Sequence, residues 1–536
     1  MNRFAALLDA LLFTPSRNGK LRLMREYFAG ESDPERGWAL AALTGELSFA
    51  EAKPNQVRAL AAERVEPELH GWSYDFVGDL AETVSLIWPV SAHAQGEVPS
   101  LTEIVEQLRG ASRAEVGRLL EPWLDALDAT GRWALLKLVT GSLRIGVSAR
   151  LAKTALAEWS GVGIDHIEEV WHGLEPPYQP LFAWLEGHAP SPQTGNLPTF
   201  YPLMLAQPLD DGDLAALDPR DYLAEWKWDG IRVQLVARGG QKRLYSRSGD
   251  DIGAAFPDIG AATPDYVTLD GELLVVRDGE AAPFNDLQQR LNRKTPTQKL
   301  LHDFPAAVRL YDILREGAED FRGLTFAERR QRLEAWHARA PRPGLDLSPL
   351  VPFAGWDELR ELRDGARERG IEGLMLKRAD SLYVTGRPKG PWFKWKRGAL
   401  TLDTVLMYAQ RGHGKRSSFY SDYTFGAWQD DVLVPVGKAY SGFTDDELRR
   451  LDRWVRNNTV RRYGPVREVA PDIVLEVAFD SVHRSSRHKS GIAMRFPRIS
   501  RLRWDKPPRD ADRLETLEKL LKSDETNKVL VTSGGT

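Results

Sequence analysis

The stretch Tyr222-Leu-Ala-Glu-Trp-Lys-Trp-Asp-Gly-Ile-Arg232 decides how this chain of 536 residues is read. Ile231, Val233 and Leu235 alternate with Arg232 and Gln234 directly after an Asp229-Gly230 turn signal, so a strand begins there. Lys227 stands just before that turn, between two tryptophans. An unperturbed lysine has a pKa of ~10.4 and offers almost no free amine at neutral pH. Nearby cations or burial lower such a value toward about 7–8 and yield a usable nucleophile. Arg232, Lys377, Lys394 and Lys396 supply such cations if the fold gathers them. Taken alone, Lys227 is better read as a surface lysine lying over aromatic rings.

Outward from this stretch the pattern stays mixed. Thr268-Leu-Asp-Gly-Glu-Leu-Leu-Val-Val276 reads as a second strand built around Asp-Gly, and 326–340 and 356–369 read as helices, giving an α+β domain over 200–398. Ahead of it, 1–195 reads as an all-α domain. Apolar residues recur at helical steps through 103–127 and 132–159, and the Pro- and Gly-rich run 187–195 reads as a linker. Phe4, Leu7, Leu8 and Leu11 keep helical spacing around Asp9, which favours a buried amphipathic helix over a signal peptide. After Lys396, short strands at 404–409, 423–428, 432–438 and 473–479 with one helix near 445–455 suggest a small β-barrel of the oligonucleotide-binding (OB) fold over 399–510. Leu514, Leu517 and Leu521 then mark a C-terminal helix and a polar tail in 511–536.

Composition narrows the function. A chain with 42% hydrophobic and 28% charged residues is expected to be a soluble, multidomain globular protein, and no apolar run is long enough for a bilayer. The absence of cysteine excludes disulfides and any Cys-ligated zinc site. The net charge of −4 conceals a local excess, because Ser481 to Lys506 holds eight Arg or Lys against the single acid Asp505. The Arg-, Ala- and Leu-rich composition without a targeting segment suggests a bacterial cytoplasm.

No single motif carries a function, but their order does. Lys227-x-Asp-Gly-x-Arg232 is followed by Ser246-Arg-Ser-Gly249, Asp270-Gly-Glu272, Leu310-Tyr-Asp312, Glu372-Gly-Leu-Met-Leu-Lys377, Trp392-Phe-Lys-Trp-Lys396 and Met494-Arg-Phe-Pro-Arg498. This series resembles the covalent nucleotidyltransferase superfamily, and most closely the ATP-dependent DNA ligases, from about Leu143 to Lys506. Leu143-Arg-Ile-Gly-Val-Ser-Ala-Arg150 is similar to a segment of the DNA-binding domain of larger ligases, and Tyr201-Pro-Leu-Met-Leu-Ala206 to the entry into their adenylation domain.

The resemblance implies three phosphoryl transfers: adenylation of a lysine by ATP, transfer of AMP to the 5′-phosphate of a nick in duplex DNA, and attack by the 3′-hydroxyl. Lys227 is then the nucleophile. Glu225 lies beside the adenine, and Arg232 and Arg247 contact the sugar or the nick phosphate. Glu272 reaches the ribose and helps hold metal, and Tyr311 stacks on the base where most relatives have phenylalanine. Glu372 holds Mg²⁺ or Mn²⁺, and Lys377, Arg387, Lys394 and Lys396 neutralise the α-phosphate. Arg387 stands one residue further from Trp392 than the family spacing. Arg495, Arg498 and Lys506 orient pyrophosphate, and Arg144, Gly146 and Arg150 bind DNA. A monomer acting on nicked double-stranded DNA in replication, repair or recombination is expected, with no membrane association.

Some points stay open on the sequence. Glu372 and Lys377 are five residues apart, so a regular strand would send them to opposite faces; a shared pocket requires a kink or bulge at Gly373. Gly412-His-Gly-Lys415 lacks P-loop spacing and reads as a barrel loop. An RNA ligase or a capping-type nucleotidyltransferase would share Lys227 but not the helical segment around Arg144, and a catalytically silent DNA-binding scaffold would not need the charge set. NAD-dependent ligases generally carry a four-cysteine zinc module, so the missing cysteines favour ATP.

Overall fold

The computed structural model describes residues 1–536 except 90–96, 142, 194, 292, 294, 340, 367–370, 413–419, 441, 443, 486–488 and 522–536. The chain forms two compact units, one of Met1–Trp159, Pro176–Phe182 and Ala399–Thr536, the other of Ser160–Glu175 and Ala183–Gly398. Most of the Gly412–Lys415 loop lies outside the described residues.

The first unit opens with α-helices, beginning at Asn2–Phe13, where Phe4, Leu7, Leu8 and Leu11 are buried as their spacing requires. The periodic segments 103–127 and 132–159 are each broken in two. Leu101–Gly110 gives way to Arg113–Ala126 at a Ser112/Glu115 capping box, and Ala129–Thr140 ends on Gly141 at φ +73° before Ala149–Ser160.

Strands follow in chain order: β1 (Gln207–Pro208), β2 (Tyr222–Trp228), β3 (Ile231–Arg238), β4 (Gln241–Ser246), β5 (Val267–Arg277), β6 (Glu280–Ala281), β7 (Ala306–Glu316), β8 (Glu319–Asp320), β9 (Leu345–Leu347), β10 (Leu350–Val351), β11 (Ile371–Arg378) and β12 (Trp392–Lys396). In the second unit they make two sheets, ordered β1-β12-β11-β2-β10 and β4-β3-β5-β7-β8, with β6 beside β5 and β9 beside β7. Helices Phe326–Arg339 and Trp356–Gly365 accompany them, so the α+β reading of this region holds.

The remaining strands of the first unit are β13 (Leu400–Arg411), β14 (Tyr420–Gln429), β15 (Val432–Ala439), β16 (Thr459–Tyr463), β17 (Val466–Val469), β18 (Val474–Phe479), β19 (Ser481–Arg484), β20 (Ile492–Arg495) and β21 (Arg498–Arg503). They correct the expected closed OB barrel: the C-terminal sheets are open half-barrels. β13 forks, pairing β18 along Leu400–Val405 and β17 along Tyr408–Gln410, and its register against β14 slips between Leu406 and Tyr408. The sheet therefore spreads to separate edges at β15, β16 and β21, and β19 and β20 form a ribbon of their own. Its core includes Phe425, Leu451, Val455 and Phe479, with Leu514, Leu517 and Leu521 from the helix at 514–521 packed against it.

Candidate active site

Directly opposed residues of antiparallel neighbours share a face. Along β2, β11 and β12 the register aligns Glu225 with Met375 and Lys394, Lys227 with Gly373 and Lys396, and Leu223 with Lys377 and Trp392. One face of this sheet therefore carries Glu225, Lys227, Lys377, Lys394 and Lys396. The opposite face carries Ala224, Leu374, Leu376 and Trp395, which form an apolar core with Leu209 and Leu359. Two residues along a strand span about 7 Å, so the Glu225 carboxylate and the Lys227 amine lie one pleat apart on the same side.

Glu372 would face the wrong way on a regular strand. The register against β2 shifts between Ile371 and Gly373, and Gly373 adopts φ +150°. A Cβ there would meet the Trp395 carbonyl oxygen at 2.3 Å, so only glycine fits. The bulge turns Glu372 to the lysine face, where it pairs with Lys227 and, at 3.3 Å, with Lys396. The irregularity demanded by the five-residue spacing is present.

The second sheet supplies the facing groups. Arg232 lies opposite Glu272, and Gln234 opposite Asp270, while Val233, Leu235, Leu269 and Leu273 on the other side join an apolar core. Gly230 lets the turn before β3 lie close against β5, since a Cβ there would sit 2.5 Å from the Leu273 carbonyl oxygen. A second bulge falls between Asp270 and Gly271, which pair with Asp312 and Leu310 and leave Tyr311 as the extra residue. Asp270, fully buried, accepts from Arg232 (2.7 Å), Tyr383 Oη (2.6 Å) and Gln234 (3.0 Å). Arg232 also donates to the Met204 carbonyl at 2.6 Å, and its buried Nε has no hydrogen-bond partner among the described residues. A buried donor left open in this way is costly unless something binds there.

The electrostatics concentrate on the carboxylates. The nearest charged partner of Lys227 is the carboxylate of Glu372, not a cation. Burial pushes Glu272 up to about 7, with Glu372 adding to the effect and Lys227, Arg232 and Arg247 opposing it. Burial acts in the same sense on Glu372, but Lys227 and Lys396 outweigh it and hold that carboxyl below its ordinary value. Burial and then the charges of Arg387, Lys396, Lys227 and Arg247 pull Lys394 down, as expected where cations outnumber their counter-ions. Arg247 and Arg387 are exposed yet close enough to act on this cluster.

Lys377 occupies a different environment. Its side chain is 2% exposed and its Nζ lies 2.6 Å from Glu225. The rings of Tyr311, Phe326 and Trp392 surround it at 4.4, 4.6 and 4.7 Å, a cation–π cage. Asp270, Gln234, Tyr383 and Arg330 complete the setting and were not among the expected site residues. Asp270 stood inside a quoted motif, whereas the others join the site only through long-range packing.

Other candidate residues belong to the first unit. Arg495 is drawn below its ordinary value by burial, Arg498 lies 3.6 Å from Asp480, and Lys506 lies 2.7 Å from Asp403. Arg144 and Gly146 both have positive φ, 48° and 68°, and these two and Arg150 are exposed. Lys20 Nζ donates to the carbonyls of Ile145 and Gly146 at 2.7 and 2.9 Å, and a Cβ on Gly146 would meet it at 2.6 Å. The positive φ favours glycine there, whereas the Lys20 amine stands at the end of a flexible side chain that can move.

Comparison with known proteins agrees with this geometry. Residues 203–396 match the ATP dependent DNA ligase domain and 416–506 the ATP dependent DNA ligase C terminal region. A probable DNA ligase of Koribacter versatilis is 33% identical over 98% of this chain and 97% of its own length. DNA ligase 1 of Korarchaeum cryptofilum is 28% identical over 97% and 98%. The solved structure described as "Pmar-Lig_PreS3" shares the fold, with a TM-score of 0.59 at 16% identity over 93% of this chain and 99% of that one. A lysine and two carboxylates set among cations between two sheets, in a chain matched along nearly its whole length by a DNA ligase, place this protein in the family of ATP-dependent DNA ligases.

Proposed function

We propose that Lys227 is the nucleophile through which this DNA ligase seals nicks with ATP. The observation that carries the assignment is the crowding of Arg247, Arg387, Lys394 and Lys396 around Lys227, Glu272 and Glu372, a setting suited to a polyphosphate. Lys227 gives up its proton to solvent, leaves the ion pair with Glu372 and attacks the α-phosphorus as the free amine. A nitrogen–phosphorus bond forms as the bond to pyrophosphate breaks. Lys394 and Lys396, with Arg387, neutralise the charge that develops on the α-phosphate. Glu225 and Tyr311 hold the base, and Arg232 offers its open Nε to the sugar or the nick phosphate, as does Arg247. Lys377, caged in this conformation, reaches the phosphate only after leaving Glu225.

Glu272 and Glu372 fit a divalent cation: they are two hard oxygen ligands, close enough that the charge of Glu372 adds to the upward push on Glu272, and phosphate oxygens can complete such a shell. Among the described residues no group of three or more ligands forms a ready-made cage. Mg²⁺ or Mn²⁺ held there supplies charge neutralisation on the phosphate oxygens. Arg495, Arg498 and Lys506 orient the leaving pyrophosphate, and residues 1–195 grip the duplex through Arg144, Gly146 and Arg150. No described helix is long and apolar enough to cross a membrane. The reading is tested by sealing of a nicked duplex with ATP, NAD or GTP. Joining with ATP alone, through a lysine-linked AMP, supports it, and absence of any adduct overturns it.

A further inference from the structure

Arg330 lies outside every motif of the chain, yet its side chain is 6% exposed and bridges three elements. Its Nη1 donates to Glu225 Oε1 at 3.1 Å and to the Ser348 carbonyl at 2.8 Å, and its Nε to Glu334 Oε1 at 2.6 Å. The other oxygen of Glu225 faces Lys377 at 2.6 Å, and Glu225 itself is 2% exposed. We propose that Arg330 is the positioning residue that makes the base pocket select a 6-aminopurine. This rests on Glu225 being the residue that meets the base.

The argument is one of hydrogen-bond inventory. A carboxylate only accepts, through two oxygens with roughly four lone-pair directions. Arg330 donates to one oxygen and the Lys377 ammonium is ion-paired with the other, which fixes the group laterally and leaves acceptor capacity and no donor toward the pocket. That edge receives the exocyclic amine of adenine and opposes the 6-oxo group of guanine, acceptor against acceptor. Lysine is a flexible point charge, whereas the Arg330 guanidinium, which meets Glu225 through Nη1, is itself held by Glu334 and the Ser348 carbonyl, so without Arg330 the carboxylate swings on Lys377 alone.

The test compares self-adenylation by ATP and by purine riboside triphosphate, which lacks only the 6-amino group, in wild type, R330M and R330K, with thermal melts run alongside. Wild type is expected to disfavour the analogue by roughly tenfold or more in kcat/KM. R330M should narrow that penalty to within about threefold, through KM for ATP more than kcat, with R330K between them. If R330M does not fold, R330K gives the same comparison. A penalty as large in the folded variant as in wild type overturns the role of Arg330 and leaves Glu225 standing. No penalty in wild type removes Glu225 from the base pocket, and the proposal with it.

Discussion

In the unit that carries Lys227, carboxylates are shared: Glu372 serves Lys227 and Lys396, and Glu225 serves Lys377 and Arg330. In the basic segment of the other unit Asp403 is shared as well, by Lys506 and Arg503, but no pair there is as buried as Glu225 with Lys377, both 2% exposed, and Arg498 and Asp480 are 48% and 32% exposed. Exposed pairs contribute about 0–1 kcal/mol, whereas breaking a buried pair costs about 3–5 kcal/mol. The buried carboxylates fix geometry, and cations in exposed pairs can pass to an incoming anion at little cost. This is the difference that the proposed roles require, one site to hold a nucleotide and one segment to attend a departing pyrophosphate.

The comparison is broken most severely at the proposed nucleophile. Lys227→Ala should reduce adduct formation and joining at least about a thousandfold, read with labelled ATP; near-normal adenylation would move the chemistry elsewhere. Gly373→Val should come next. With the Trp395 carbonyl 2.3 Å from the new Cβ, it should cost about 2–4 kcal/mol of stability and suppress adenylation by turning Glu372 away. A variant of normal stability and activity would show that the bulge does not aim the carboxylate.

Arg498→Ala sharpens the contrast from the exposed side. Self-adenylation should fall about tenfold more than sealing of a pre-adenylated nick, and equal losses would reject the pyrophosphate role. The smallest effect concerns Glu272. Its carboxyl is pushed up to about 7 from 4.5, chiefly by burial, so the folded state binds that proton more tightly than the unfolded chain. The resulting stability is full below the unfolded value and lost as pH rises toward about 7. Glu272→Gln, which does not titrate, should therefore gain on wild type by about 2–4 °C in Tm between pH 5 and 7.5. A gap independent of pH would mean the group is charged throughout.

Much of this site was legible because strand alternation is a local rule. The run from Ile231 gave a strand of the expected phase, and the five-residue spacing of Glu372 and Lys377 forced the irregularity found at Gly373. The bulge that frees Tyr311 carried no such conflict in its sequence and went unforeseen. Arg330, Gln234 and Tyr383 were invisible because their partners stand 105, 36 and 113 residues away. In the C-terminal region the main strands were foreseen but not their pairing. Closure depends on which strand each half of β13 chooses, and periodicity does not encode that choice. The open sheet is the consequence.

The central claim is tested most directly by incubating wild-type protein with ATP and Mg²⁺, digesting it under conditions that preserve phosphoramidates, and mapping the modified peptide by mass spectrometry. The account predicts one AMP on the peptide containing Lys227. AMP on another lysine, Lys394 or Lys377 included, would contradict it.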